Sequence, residues 1–457
     1  MGGSRMDVDT IVALSTPEGV GAIAVVRLSG PEAVGVLERI APDQPLPEPR
    51  RASLLDLRDP DDGSLVDRAL VTRFVGPASF TGEDLVELSC HGGWLTPALV
   101  VDACVRAGAR EGEPGEFTRR AYLRGKIDLV QAEAIADLID ARSGALRKAA
   151  LGHLDRGLSR RVGDLRTRLI GVEALLAHHV DFPEEDDAPV PLDRVIREGR
   201  ALGGEVEAML RTAPEGELLR EGALAVLAGR PNAGKSSLYN ALVGKERAIV
   251  TEEPGTTRDA LEASVQLGGF PFRLVDTAGL RSASGQVERM GIEVARRYMD
   301  EADVVLFCVS VAEGLTGADR EFLEDVRDAP VVLIETKGDL SAGRAAEADG
   351  VAARVRVSAR TGEGLDELRR VLPGLMFSSV IRAGAEVPVL TRARHARSLR
   401  VARDELRAFV EGLQAGLPAE VASSHLRTAE SALEDVIGLV STEDVLDVVF
   451  RDFCIGK

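Results

Sequence analysis

The sequence predicts a multidomain α/β protein in which a mostly parallel α/β module is inserted into a helical domain, behind an N-terminal α+β block. Three observations predict it. The chain has 457 residues, the length of about three domains of ~150 residues each. Short apolar runs separated by Gly/Pro-rich loops give way, from Ile127, to apolar residues recurring at steps of three and four. Between 222 and 375 strand-like runs alternate with helix-length amphipathic stretches, as in a parallel sheet, and helical periodicity then resumes.

In chain order, the runs 21–28 (GAIAVVRL), 69–75 (ALVTRFV) and 85–90 (LVELSC) predict strands, and the Pro-rich stretch 42–49 predicts a loop. Ile127, Val130, Ala134, Leu138, Ala141 and Ala145 predict one long amphipathic helix. Helices at 158–180 and 192–212 flank the acidic segment DFPEEDDAPVP. Strands are predicted at 223–228, 272–275, 304–309, 331–334 and 355–358, then helices at 392–413 and 419–437, with Ser441 or Thr442 capping the helix EDVLDVVF. The breaks divide the chain into 1–124, 125–217, 218–380 and 381–457. No internal repeat or low-complexity tract interrupts this organisation.

Composition narrows the function classes. With 56 Lys+Arg against 74 Asp+Glu the net charge is −18, so bulk attraction to nucleic acid is excluded. The longest apolar runs, such as 223–228 and 303–309, fall far short of the ~18 residues a spanning helix needs. The opening MGGSRMDVDT lacks an apolar signal core, and Cys90, Cys104, Cys308 and Cys454 form no CxxC pair. A cytoplasmic, reduced protein without structural zinc is expected. Only six of the 56 basic residues are lysines (126, 148, 235, 245, 337 and 457), so a retained lysine points weakly to a site wanting a compact ammonium.

Residues 229–236, GRPNAGKS, match G-x-x-x-x-G-K-[ST] between a strand-like and a helix-like run, the context in which this motif cradles phosphates. Gly229 and Gly234 let backbone amides converge on phosphate oxygens, Lys235 neutralises β/γ charge, and Ser236 ligates magnesium. Downstream, TEEPGTTRD supplies Thr256 and Thr257 as γ-phosphate sensors, and DTAG at 276–279 supplies Asp276, holding magnesium through water, and the Gly279 amide. TKGD at 336–339 and VSAR at 357–360 each follow a strand. Asp339 is the expected guanine reader, because a carboxylate accepts from both guanine N–H donors and is left unpaired by adenine. Lys337 packs over the base, and Ser358, Ala359 and Arg360 cover it. ATP is the alternative nucleotide. Thr336 stands where GTPases usually carry the Asn of NKxD, and is expected to lose the amide that ties this loop to the phosphate loop, altering nucleotide affinity.

The order GRPNAGKSSLYNAL, TTRD, DTAGL, with an upstream SFTGEDLVEL and HGG, PGEFTRRAYLRGKIDLVQAEAIADLID and a terminal FCIGK, resembles the tRNA-modifying GTPase family MnmE (TrmE) over nearly the whole chain. The resemblance implies an N-terminal folate-binding and dimerising domain, a helical domain in two segments, and an inserted Ras-like P-loop GTPase domain. It implies nucleotide contacts from Gly229, Asn232, Ala233, Gly234, Lys235, Ser236 and Ser237. The loop Thr251, Glu252, Glu253, Pro254, Gly255, Thr256 and Thr257 adds to them, as do Asp276, Thr277, Ala278 and Gly279.

The family uses a potassium ion where other GTPases use an arginine finger, implying Asn232, Thr251, Glu253 and Thr256 as its ligands, with Ser236 and Thr257 on magnesium. Glu288 is the implied water-orienting residue, with Glu293 as its rival. The implied folate site is Arg27, Glu87, Lys126 and Lys457, taking 5-formyl- or methylene-tetrahydrofolate, and Cys454 is a candidate for a thiol role. The implied reaction, with the FAD-containing partner MnmG (GidA), places an aminomethyl-type group on the 5 position of the wobble uridine of certain tRNAs. Arg392, Arg394, Arg397, Arg400, Arg403 and Arg407 form the one local basic feature and a candidate tRNA contact, a solvated or interface helix being the alternative. A GTP-switched ribosome-assembly factor and a dimeric scaffold are the competing function classes.

Overall fold

In the computed structural model the described residues are 9–181, 191–246, 262–276, 296–326, 329–340, 348–384, 387–439, 443–451, 453 and 455–456. The chain forms two compact units: residues up to Ala136 together with those from Ile437 onward, and Asp137–Val436.

The first unit is built on a six-stranded sheet of order β3-β4-β5-β2-β1-β6. Its strands are β1 Ile11–Leu14, β2 Ile23–Ser29, β3 Ser53–Arg58, β4 Leu65–Phe74, β5 Leu85–His91 and β6 Arg110–Glu111. All neighbours are antiparallel except β1 and β6. Alternation sets the two faces: Ala24, Val26 and Leu28 point into a core closed by the helices Ala33–Ile40 and Thr96–Arg106, while Arg27 lies between them on the other face. That second face carries Ile11, Ala13 and Phe117. The helix Glu443–Arg451 contributes Leu446, Val449 and Phe450 to a cluster with Leu129 and Phe453.

The second unit contains a six-stranded sheet of order β12-β11-β10-β7-β9-β8. The strands are β7 Ala223–Ala228, β8 Glu262–Leu267, β9 Phe270–Asp276, β10 Val304–Ser310, β11 Val331–Thr336 and β12 Ala353–Arg356. It is parallel throughout except for the β8–β9 hairpin. β7, β10 and β11 are buried at every position, which is why they read as continuous apolar runs instead of alternating. The same unit holds the long helices Gly157–Asp181, Leu192–Leu210, Ala393–Gln414 and Ala419–Ile437, close to the predicted spans.

One predicted element is corrected. The expected long helix from Ile127 to Ala145 is two helices, Leu129–Ile139 and Gly144–Leu154. Ser143 breaks it: the residue is extended (φ −144°, ψ 154°) and its hydroxyl accepts from the Leu146 amide as an N-cap. The apolar period continues across the break, so periodicity alone could not reveal it. Ser441 and Thr442 lie outside the described residues, although the helix they were expected to cap is present. Strands β1, β3, β6 and β8 had no clear signal of their own. Among the described residues no helix is long and apolar enough to cross a membrane.

Candidate functional site

The phosphate loop starts where buried β7 ends. Gly229 has φ 127°, and a Cβ there would fall 2.3 Å from the carbonyl oxygen of Cys308 on neighbouring β10, so the close approach of the two strand ends requires glycine. Asn232 and Gly234 turn the chain with φ of 62° and 89° into the helix Lys235–Glu246. Lys235 is 6% exposed, and its ammonium donates to the carbonyls of Gly229 and Arg230, each at 2.8 Å. The ammonium is thereby held within the loop it serves. Arg230 braces the loop from outside, donating to the Gly314 carbonyl at 2.9 Å and pairing with Asp319 at 3.1 Å, the same carboxylate that caps the helix Gly317–Asp325.

Parallel register brings the remaining groups alongside. Leu227 on β7 lies opposite Asp276 on β9, and the Ser236 hydroxyl donates to the Asp276 carboxylate at 2.6 Å. Ser310 on β10 lies opposite Thr336 on β11, and Thr336 is buried with its hydroxyl donating to the Ala233 carbonyl at 2.5 Å. This corrects the expectation for Thr336: the tie to the phosphate loop is kept by a hydroxyl where an amide was expected to be missed. Next to it, Lys337 adopts φ 57°, and the Gly338 amide donates to the Val357 carbonyl, joining the two loops beyond β11 and β12. Asp339 accepts from the Ser358 hydroxyl at 2.7 Å and pairs with Arg360 at 2.9 Å. The Ser358 hydrogen bond, aided by Arg360, holds its carboxyl below the usual carboxylate range. Ala359 lies between these two partners in the same loop, and Ser237 is exposed in the first turn of the helix.

Thr251, Glu252, Glu253, Pro254, Gly255, Thr256, Thr257, Thr277, Ala278, Gly279 and Glu288, with its rival Glu293, lie outside the described residues, as do Cys454 and Lys457.

In the first unit, Arg27 and Glu87 are direct cross-strand partners on β2 and β5, joined at 2.7 Å. The Arg27 guanidinium also sits over the rings of Phe80 and Phe117, at 5.6 and 5.9 Å. Lys126 donates to the Pro77 carbonyl at 2.8 Å, so Lys126 and Arg27 both meet the loop between β4 and β5. The chain end is anchored against the same sheet. Gly456 has φ 84°, its carbonyl accepts from the Ser15 hydroxyl at 3.0 Å, and a Cβ would fall 2.2 Å from the Leu14 carbonyl oxygen.

Comparison with known proteins shows the family. The family model "MnmE helical domain" matches residues 129–454, and "GTP-binding protein TrmE N-terminus" matches residues 10–126. The chain is 42% identical to the tRNA modification GTPase MnmE of Moorella thermoacetica, over 98% of this chain and 99% of that one. It is 44% identical to its counterpart in Methylobacterium radiotolerans, over 99% and 100%. The chain belongs to the MnmE family of tRNA modification GTPases.

Sequence reasoning missed one charged cluster in this MnmE-family chain. Arg120, 2% exposed, pairs with Glu116 at 2.8 Å, Asp9 at 2.7 Å and Glu83 at 3.3 Å. Arg124 and Arg110 complete it on Glu83 and Glu116, and Ser29 donates to Glu83 at 2.8 Å. Burial alone would raise the Glu116 carboxyl, but hydrogen bonds from Arg110, the Glu113 amide and Arg120 bring it below its ordinary value. The legible signal was the i, i+4 pair of Glu116 and Arg120 within PGEFTRRAYLRGK.

The basic helix turns out to be largely occupied. Arg392 pairs with buried Asp137 at 2.7 Å, Arg394 donates to the carbonyls of Asp435 and Val436, and Arg403 bonds Glu207 and Asp404. Arg397, Arg400 and Arg407 are exposed, Arg407 lying 3.6 Å from Asp404 of its own helix.

Proposed function

We propose that this chain binds and hydrolyses GTP and, together with the FAD-containing partner MnmG (GidA), installs an aminomethyl or carboxymethylaminomethyl group at the 5 position of the wobble uridine of certain tRNAs. The observation that carries the nucleotide part is the convergence of Lys235, Ser236 and Asp276 at the C-terminal ends of β7 and β9, where parallel sheets bind ligands. Asp339, presented by Ser358, supports guanine as the base.

The donors fit the ions the family uses. A serine hydroxyl and a carboxylate 2.6 Å apart are the hard oxygens magnesium prefers, with Thr257 as a further ligand. Magnesium and potassium, when bound, offset the charge developing on the triphosphate. Asn232, at the left-handed turn of the phosphate loop, is the described ligand proposed for potassium, joined by Thr251, Glu253 and Thr256. Lys235 holds the β/γ oxygens, and Glu288 orients the attacking water when two GTPase modules meet.

The folate reading rests on the charge pair at Arg27 and Glu87, which offers both signs to a ligand carrying carboxylates and a pterin edge, with Lys126, Lys457 and the Cys454 thiol completing the pocket. Folate, when bound, donates the one-carbon unit. A homodimer is supported by exposed apolar residues of the first unit, Val20, Ile23, Trp94 and Leu95. The proposed domains are 1–124 for folate and dimerisation, 125–217 and 381–457 for the helical domain, and 218–380 for the inserted GTPase domain. The place of action is the cytoplasm.

The deciding experiment is mass spectrometry of wobble uridine in tRNA from cells lacking this chain. The modification is expected to disappear and to return when the gene is restored; fully modified uridine in the deleted strain overturns the proposal.

A further inference from the structure

The second unit carries an open-mouthed cavity of about 620 Å³, within the ~300–1,000 Å³ typical of small-molecule sites. One wall comes from the helices Gly144–Leu154 and Gly157–Asp181, the other from the β8–β9 turn with Val380, Ile381 and Gly384 and with residues 387–389. The opposing walls are pinned together at two points. The Ala145 amide donates to the Gly269 carbonyl at 3.0 Å, and the ring Nε2 of buried His153 donates to the Val389 carbonyl at 2.8 Å. The space is therefore built into the fold. Its interior is apolar, formed by Ala149, Leu158, Leu219, Phe270, Ile381 and Val389. Ile381 is 49% exposed although it lines a concave surface, the condition of a side chain that an apolar ligand would cover.

The rim has the opposite sign to the chain as a whole. Lys148, Arg160 and Arg161 stand against the single carboxylate of Asp164, in a protein of net charge −18. Arg161 is already paired with Glu205 at 2.8 Å. Arg160 gives one N–H to the Asp155 carbonyl and keeps its other donors, and among the described residues neither Arg160 nor Lys148 has an ion-pair partner. Two cations above an apolar floor select a ligand with one anionic end and a hydrophobic body.

We propose that this cavity is a binding site for a small amphipathic anion, an aromatic or aliphatic body carrying a carboxylate or sulfonate held by Lys148 and Arg160. A ligand there bridges the helices to the β8–β9 hairpin, so occupancy stiffens the join between the sheet and the helical scaffold. The site stands apart from the phosphate loop and does not depend on the function proposed above.

Two dyes test it on the full chain: 8-anilinonaphthalene-1-sulfonate and its uncharged analogue N-phenyl-1-naphthylamine, each titrated by fluorescence. The sulfonate is expected to saturate one site and to bind about tenfold more tightly than the neutral dye, as charge-assisted contacts dictate. K148E/R160E is expected to weaken the sulfonate at least about tenfold, leaving the neutral dye within about twofold and GTP turnover unchanged. Ala149→Trp, which fills the cavity, is expected to remove both. Equal affinity for the two dyes, or a sulfonate titration that K148E/R160E leaves unaltered, overturns the proposal, and because the charge variant alters only exposed side chains the test survives a failure of Ala149→Trp to fold.

Discussion

Thr336 replaces an amide by a hydroxyl that can donate only one hydrogen, and that hydrogen goes to the Ala233 carbonyl of the phosphate loop. The hydroxyl is also 3.2 Å from the Val309 carbonyl, a longer approach that leaves Ala233 the preferred acceptor. Removing a buried donor and stranding its acceptor costs about 1–3 kcal/mol. Thr336→Val is accordingly expected to weaken guanine nucleotide binding roughly tenfold, at 1.4 kcal/mol per decade, while Thr336→Ser stays within about threefold. Titration of a fluorescent GDP analogue checks both; a Thr336→Val protein that binds as tightly as the parent removes Thr336 from nucleotide binding. The Cys308 thiol, by contrast, is pushed up to about 12 by burial, so at this residue the backbone carbonyl that crowds Gly229 matters and the sulfur is inert.

At the scale of elements, the loop between β4 and β5 is fixed by the buried cluster around Arg120, which joins the helix Glu116–Leu123 to Glu83 on that loop. Breaking a buried pair from one side leaves uncompensated charge, a loss of about 3–5 kcal/mol. Arg120→Met is expected to destabilise the first unit by about that amount at pH 7, measured by thermal unfolding. The sign with pH follows from Glu116, whose folded value lies below its ordinary 4.5. Its stabilisation is complete above the unfolded value and is lost as pH falls through the lower folded value. The gap between parent and Arg120→Met is therefore expected to be widest near neutrality and to close in acid; a gap that widens in acid contradicts the assignment. Among helices, Ala393–Gln414 shows how pattern misleads. Its arginines recur at helical spacing, yet Arg392, Arg394 and Arg403 are spent on neighbouring helices, which leaves Arg397, Arg400 and Arg407 as the exposed part of any RNA surface.

For the whole molecule, GTP cleavage is proposed to depend on two GTPase modules meeting around an alkali ion. Exchanging potassium for sodium is expected to slow turnover at least about tenfold, since a charge between the phosphates is worth ~10³–10⁵ when an arginine supplies it. Glu288→Ala is expected to abolish turnover and leave GTP affinity nearly intact. Equal rates in the two salts, or equal loss of binding and turnover in Glu288→Ala, contradicts this mechanism.

Sequence by itself determined the form of the phosphate loop between its strand and helix and the position of most of the long elements. GRPNAGKS is legible from its own glycines and the flanking strand and helix, and β7 was legible residue for residue because a strand buried on both faces is apolar throughout. Short strands such as β1 and β6 carry too few residues to show a period. The break at Ser143 escaped because the apolar spacing runs on through it. Tertiary structure alone decided that Thr336 reaches Ala233, that Arg27 faces Glu87, and that Arg120 binds Asp9, because these are contacts between residues far apart in the chain. They depend on strand order and register, which local propensity does not encode.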